Sequence, residues 1–177
     1  MNVFFIDGKR YSNKYSEIIF FFIKNPEFRY LIYFRLASKY SKINLIGLLS
    51  RILLNHSKGK YQIQIPINTK IGNGFHLNHF GNIIINQGVI IGENCNVSQG
   101  VTLGNVSRGK LKGCPTIGDR VWIGANAVVV GKITIGNDVL IAPLSYVNFD
   151  IPANAVVMGN PARIINYNGS GGYIKKI

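Results

Sequence analysis

From Ile117 onward an aliphatic residue returns every six positions: Ile117, Ile123, Val129, Ile135, Ile141 and Val147. Gly or Ala follows four of the first five (Gly118, Gly124, Gly136, Ala142), and a small or β-branched residue often stands four places on, as at Val121, Ala127, Ile133, Val139 and Ser145. A period of six is neither the 3.6 of a helix nor the 2 of a strand. It describes a short strand, a turn and another short strand, which is the repeat of a parallel β-helix. Coils of this kind stack about 4.8 Å apart, as neighbouring strands do, and each adds to an internal column of aliphatics.

The rhythm continues upstream in two frames. Ile65, Ile71, Leu77 and Ile83 keep one, and Ile85, Ile91, Val97 and Leu103 keep another displaced by two residues. Leu103 and Ile117 are then separated by eight residues more than the repeat asks. The surplus is assigned to a polar, basic loop at 105–115 (NVSRGKLKGCP). The predicted fold class is mainly β: a parallel β-helix domain over 61–165, preceded by an α-helical segment at 1–60 and followed by a flexible tail at 166–177. Function in a solenoid is sought where the rhythm breaks.

The 177 residues suffice for one such domain with an appendage, and the net charge is +13. Residues 1–60 carry eleven Lys and Arg against three acids, so the excess is concentrated outside the repeats. There Asn25-Pro26-Glu27 reads as a helix start, with a capping residue, a proline where its missing N–H is harmless, and an acid near the positive end of the dipole. The run FRYLIYFRLASKYSK follows, then a second helical run, INLIGLLSRILLNHSK. These helices are expected to cap the open end of the coil and to pack between subunits. The Arg, Lys and Tyr face of this N-terminal segment is also expected to lean on an anionic membrane surface. Basic residues interleaved with bulky apolar ones, without a recognised motif, argue against nucleic acid. Asp7, Lys9 and Arg10 precede any long apolar run, and the longest such run, Ile18 to Ile23, is six residues. That is far short of the roughly 20 a bilayer span needs, so a cytoplasmic location is expected, at most at the inner face of the membrane. Cys95 and Cys114 are too few for a disulfide framework, and Cys95 sits in a small-residue slot of the repeat, as a core thiol would.

His76 and His79 fall together in GFHLNHFGN, at the first disturbance of the repeat. If Leu77 points inward, Asn78 and His79 lie in the turn beyond it. An imidazole there suits general-base work because its ordinary pKa lies near 6.5. Zinc needs three or four converging ligands. His76 and His79 point in different directions and His56 lies outside the repeats, so no metal is expected.

The stretch from about Gln62 to Ile165 resembles the left-handed β-helix of hexapeptide-repeat acyltransferases, and within them the serine O-acetyltransferase branch. The residues that carry the likeness are KIGNGFHLNHFGN, VSQGVTLG, a basic loop ending in CPTIG, VWIGANAVVVGKITIG and the closing VVMGNPARII. FRYLIYFRLASKY is similar to the shorter members that acetylate sugars of bacterial surface polysaccharides. The resemblance implies a left-handed coil, a homotrimer with its sites between subunits, and acetyl-CoA as acyl donor without a metal. His79 takes the place of the catalytic histidine, since LNHFGN stands where serine acetyltransferases carry LDHATG. Gly104, Gly124 and Ala125 match segments that line the pantetheine groove, and Lys132 and Arg163 are candidates for the coenzyme phosphates. His76, Asn78, Gly113 and Cys114 fall at acceptor-binding positions.

The departures from that branch bear on the acceptor. The acid that partners the histidine is replaced by Gln64, the Asp before it by Asn78, and the Arg-His pair closing the substrate loop by Gly113-Cys114. Losing the Arg removes a bidentate clamp on a carboxylate, and losing the acids leaves an ammonium group without counter-charge. The expected acceptor is therefore a sugar hydroxyl of a capsule, lipopolysaccharide or exopolysaccharide precursor, with free serine as the alternative and a non-catalytic trimeric scaffold as another.

Overall fold

The structure is a computed structural model that describes residues 3–174. The first coil consists of β1 (Ile63–Gln64), β2 (Lys70–Ile71) and β3 (His76–Leu77), and the second of β4 (Ile83–Ile85), β5 (Ile90–Ile91) and β6 (Asn96–Val97). The third holds β7 (Thr102–Gly104), β8 (Thr116–Ile117) and β9 (Trp122–Ile123), and the fourth β10 (Val128–Val130), β11 (Thr134–Ile135) and β12 (Leu140–Ile141). The last has β13 (Tyr146–Val147) and β14 (Val156–Met158), and β15 (Arg163–Asn166) turns back antiparallel on β14. Stacked coils give three sheets: β1-β4-β7-β10-β13 (sheet A), β2-β5-β8-β11 (sheet B) and β3-β6-β9-β12-β14-β15 (sheet C).

The register explains both disturbances of the sequence rhythm. Ile63 pairs with Ile83, Lys70 with Ile90 and His76 with Asn96, each twenty residues on, whereas Ile84 pairs with Thr102, eighteen on. The two additional residues of the first coil therefore lie between β3 and β4. Ile90 pairs with Thr116 and Asn96 with Trp122, twenty-six on, before Thr116 with Thr134 and Trp122 with Leu140 return to eighteen. Those eight additional residues lie between β7 and β8. Inside, the column Leu77, Val97, Ile123, Ile141 and Val157 is buried, as are its counterparts on the other two sheets save Ile71, which is half-buried. Cys95 is part of this core; its Sγ donates to the Gly118 carbonyl at 3.0 Å, and burial pushes the thiol up to about 12.

Four helices close the N-terminal end: α1 (Val3–Gly8), α2 (Tyr15–Lys24), α3 (Pro26–Lys39) and α4 (Leu45–Tyr61). Asn25 holds the N-cap of α3 without a side-chain bond, while Asn44 Oδ1 caps α4 by accepting from Ile46 N–H at 2.9 Å. α3 is the element that ties cap to coil. Tyr30, Leu31 and Phe34 join the main core. Arg35 grips buried Asp7 with Nε and Nη2, both at 2.9 Å, and donates to the carbonyls of Ile71 and Gly72 at 2.7 and 2.6 Å. Asp7 also accepts from Phe75 N–H at 3.0 Å. Burial raises its carboxyl above the ordinary value against the pull of Arg35. Arg29 donates to the Ile23 carbonyl at 2.7 Å and to Tyr61 Oη at 3.1 Å. Arg29 and Arg35 of α3 are thus engaged within the cap, and nothing in the fold adds support to the expectation that this face leans on a membrane.

Residues 166–174, expected within a flexible tail, instead return along the coil. Gly169 and Ser170 N–H donate to the carbonyls of Asn154 and Asp138 at 2.9 Å each, Ser170 Oγ donates to the Arg120 carbonyl at 2.7 Å, and Tyr173 packs on Trp122 with centroids 4.8 Å apart. Residues 175–177 of that predicted tail lie outside the described residues.

Candidate active site

Strand alternation sends Ile63, Ile83, Ile85 and Leu103 into the core and leaves Gln64, Ile84 and Thr102 on the outer face of sheet A. These outward residues, with Lys58 and Gly59 near the end of α4, Pro66, Asn86, Gln87 and Gly104, line a groove of about 650 Å³. Sheet A therefore offers a groove lined by apolar and uncharged polar residues with Lys58 as its one charge. Both breaks in the rhythm flank it: the enlargement after β3 at the edge where the chain enters β4, and the eight-residue insertion at the edge where it leaves β7.

The first break presents His79. Asn78 N–H donates to the Val97 carbonyl at 3.0 Å, Gly81 N–H to the Tyr61 carbonyl at 3.0 Å, and Gly100 N–H to the Gly81 carbonyl at 2.8 Å. Phe80 leans on Tyr61 with centroids 5.7 Å apart. Gly81, at φ +115°, takes a conformation that side chains rarely adopt, and it turns the chain from sheet C into sheet A. The backbone is thus pinned on both sides of His79 while its ring is exposed, and among the described residues no hydrogen bond holds that ring. An imidazole so placed is free to take a proton from an incoming hydroxyl.

His76 differs in every respect. It sits on the outer face of sheet C beneath Tyr11, with ring centroids 4.8 Å apart, and its Nδ1 is buried without a partner. Burial first, then the nearby charges of Arg10 and His79, lowers its pKa to about 4. It borders a cavity of about 310 Å³ with Arg10, Asn78, Asn96, Trp122 and Tyr173. Here one chain of hydrogen bonds joins the cap to the first two coils: Arg10 Nη2 donates to Asn96 Oδ1 at 2.7 Å, Asn96 Nδ2 to Asn78 Oδ1 at 3.3 Å, and Asn78 Nδ2 to Ser98 Oγ at 2.9 Å.

The second break is a hairpin. Val106 and Gly113 exchange N–H···O bonds of 3.0 and 2.9 Å, and Lys112 N–H donates to the Gly109 carbonyl at 3.2 Å. Its tip, residues 107–110, is exposed, whereas Leu111 is half-buried against the core and its carbonyl accepts from Lys132 N–H at 2.9 Å. Cys114 is turned toward the groove, with Sγ 3.3 Å from Asn86 Oδ1, and burial pushes its thiol up, so it stays protonated.

The comparisons with known proteins agree with this fold. The family description Bacterial transferase hexapeptide (six repeats) matches residues 114–148. A serine acetyltransferase of Helicobacter pylori is 31% identical over 153 residues, covering 86% of both chains. The chain belongs to the hexapeptide-repeat acyltransferase family. A serine acetyltransferase of Synechococcus elongatus is 33% identical over 144 residues, which is 81% of this chain and 59% of that protein. The chain thus spans less than two thirds of that relative. Among solved structures, a serine acetyltransferase from Brucella abortus in complex with coenzyme A superposes with a TM-score of 0.79 at 28% identity, covering 94% of this chain and 68% of that one.

Within this family frame the residues singled out from sequence divide between the two edges of sheet A. His79, Asn78, Gly124 and Ala125 lie on the edge between sheets C and A; Gly104, Gly113, Cys114 and Lys132 lie on the edge between A and B. One chain does not bring the two sets together. Gly124 has a structural reason to be glycine, because a Cβ there would stand 2.5 Å from Pro143 N in the next coil. At Gly104 a Cβ would meet side chains and no backbone, Val130 at 3.0 Å and Thr102 at 3.8 Å, so close approach of a ligand remains a use for it. Exposed Arg163 is in β15, on sheet C, away from the groove and the hairpin. Among the described residues no three His, Cys, Asp or Glu converge as metal ligands would. Sequence reasoning missed Lys58 and the partners Arg10, Asn96, Trp122 and Tyr173. The offsets of twenty and twenty-six that stack His76, Asn96 and Trp122 exist only once the coil lengths are known.

Proposed function

We propose that this chain is an acetyl-CoA-dependent O-acetyltransferase built on a left-handed β-helix and working as a homotrimer. The observation that carries the reading is His79, exposed on a pinned backbone at the one place where the first coil is enlarged, beside the sheet A groove. Its imidazole accepts the proton of the acceptor hydroxyl as that oxygen attacks the thioester carbon. The tetrahedral oxyanion needs backbone N–H donors. It collapses with loss of the coenzyme thiolate, which takes the proton from the imidazolium, leaving an O-acetyl ester and the free thiol. The groove fits a thin extended ligand. Gly104 permits close approach along its floor, and Lys58 together with the hairpin cations Arg108, Lys110 and Lys112 would meet phosphates. A trimer unites the two edges of sheet A by setting His79 of one chain beside the hairpin of another.

For the acceptor, the relatives favour L-serine over the sugar expected from sequence, because those nearest at hand are serine acetyltransferases. A second reading, an uncharged sugar or polyol hydroxyl, rests on one specific observation: none of the seven acids of the chain lines the groove. Asp7 is locked to Arg35; Glu93, Asp119 and Asp138 occupy the corner between sheets B and C; and Asp150 accepts from Thr134 N–H. An ammonium group bound there has no carboxylate to meet. Thiol release from acetyl-CoA with L-serine and with a panel of neutral sugars decides between them. Turnover with serine alone supports the first acceptor and turnover with a sugar alone the second. Full activity of His79→Ala with any acceptor would overturn the mechanism itself.

A further inference from the structure

α4 is amphipathic in the wrong sense for a helix whose only task is to cap a coil. The residues it turns toward the protein are mostly small or polar, Gly47, Ser50 and Ser57 with Leu54, while its outward face carries Leu45, Leu48, Leu49, Ile52 and Leu53. Leu45 is 69% exposed, Ile52 56% and Leu49 51%. These five positions fall on a single stripe of a 3.6-residue helix. Burying so many aliphatics against something apolar is worth far more than leaving them in water, so the stripe calls for an occupant.

Charge identifies that occupant. Residues 28–92 contain no Asp or Glu and eight Lys and Arg, among them exposed Lys42 and Lys60 at the two ends of α4 and Lys39 at the end of α3. A two-fold pairing of this face with its own copy would set cations against cations. A surface that is apolar inside and anionic at its boundary complements it on both counts. With 17 residues, α4 is long enough to lie in such an interface, and no helix among the described residues is long and apolar enough to cross one.

We propose that α4 docks this protein on anionic lipid bilayers, its leucine and isoleucine stripe seated among the acyl chains and its flanking lysines on the headgroups. Within the N-terminal segment this assigns membrane contact to α4 and not to α3, whose Arg29 and Arg35 are engaged within the cap. It does not depend on the acyl acceptor.

Co-sedimentation of the full chain with vesicles tests it. Binding to phosphatidylcholine vesicles containing phosphatidylglycerol is expected to exceed binding to phosphatidylcholine alone by at least about tenfold, since each cation near an anionic surface contributes roughly fivefold, and to fall as salt is added. The double variant Leu49→Gln/Ile52→Gln is expected to lower that binding by about tenfold or more while leaving the mass measured by light scattering unchanged. Equal binding to the two vesicle types, or none, overturns the proposal. A fall in oligomeric mass in the double variant also overturns it, by showing that a second copy of this chain covers the stripe.

Discussion

Two interruptions break the same coil, and they are built in opposite ways. The one at His79 adds two residues and is held by main-chain bonds through Asn78, Gly81 and Gly100. The one at 105–115 adds eight and is a hairpin whose tip is exposed, anchored by the Val106–Gly113 pair and by Leu111. A short, pinned insertion fixes the backbone that carries a side chain, which limits where a reacting group can stand. A longer arm reaches away from its own coil and suits contact with a ligand or a neighbouring subunit. The difference teaches that the size of a break in a solenoid reports what the break is for.

The strongest test of this division is His79→Ala, expected to lower turnover by about 10² to 10⁴ as loss of a general base does, with an unchanged melting curve. A fall of less than tenfold would remove the short break from the chemistry. The two glycines that the resemblance assigns to the coenzyme come next. Gly124→Ala is expected to destabilise the fold by about 3 kcal/mol, at the upper end for overpacking, because the clash is with backbone. Gly104→Ala is expected to keep the melting temperature within a few degrees and to raise the apparent KM for acetyl-CoA. Equal melting temperatures for the two variants would refute the structural role given to Gly124.

Replacing the exposed tip 107–110 by a short Gly linker is expected to raise KM for donor or acceptor by about tenfold, the scale of one or two lost charge contacts, with trimer mass retained. Taking Leu111 as well should cost a further 1 to 2 kcal/mol or so, from its half-buried side chain. Loss of the soluble oligomer with the tip alone would make the long break structural.

The smallest effect is expected at His76, whose replacement by Leu should change turnover only a few-fold, the size of an indirect effect rather than of a lost base. Its signature is in stability. The folded form holds the imidazole at about 4 and the unfolded chain near 6.5, so the unfolded state binds the extra proton between those values. This contribution to stability is therefore complete above about 6.5 and is lost as pH falls toward 4. Denaturation across that window should be less pH-dependent in His76→Leu; an unchanged slope would show that His76 does not titrate as its burial implies.

Much of this could be read along the chain. The six-residue period is a local pattern, because alternation of side chains across a strand and the tight turn after it are decided within a few residues. The eight-residue surplus between Leu103 and Ile117 and the two-residue shift between the frames of Ile83 and Ile85 follow from that pattern, and the family likeness makes His79 the candidate base. The acceptor did not follow as simply, because the relatives favour serine where the missing charges had suggested a sugar.

What the sequence by itself determined was the coil, the positions of its two breaks and the histidine at the first. Only the tertiary structure decided which residues from different coils share a face, as His76, Asn96 and Trp122 do, and that Arg35 turns inward to Asp7 while the leucines of α4 turn outward. It also decided that the chain's end returns to cover Trp122. The physical reason is range. A repeat is written in neighbouring residues, whereas the direction a helix faces depends on the surface it meets, and that surface is assembled from segments far away in the chain.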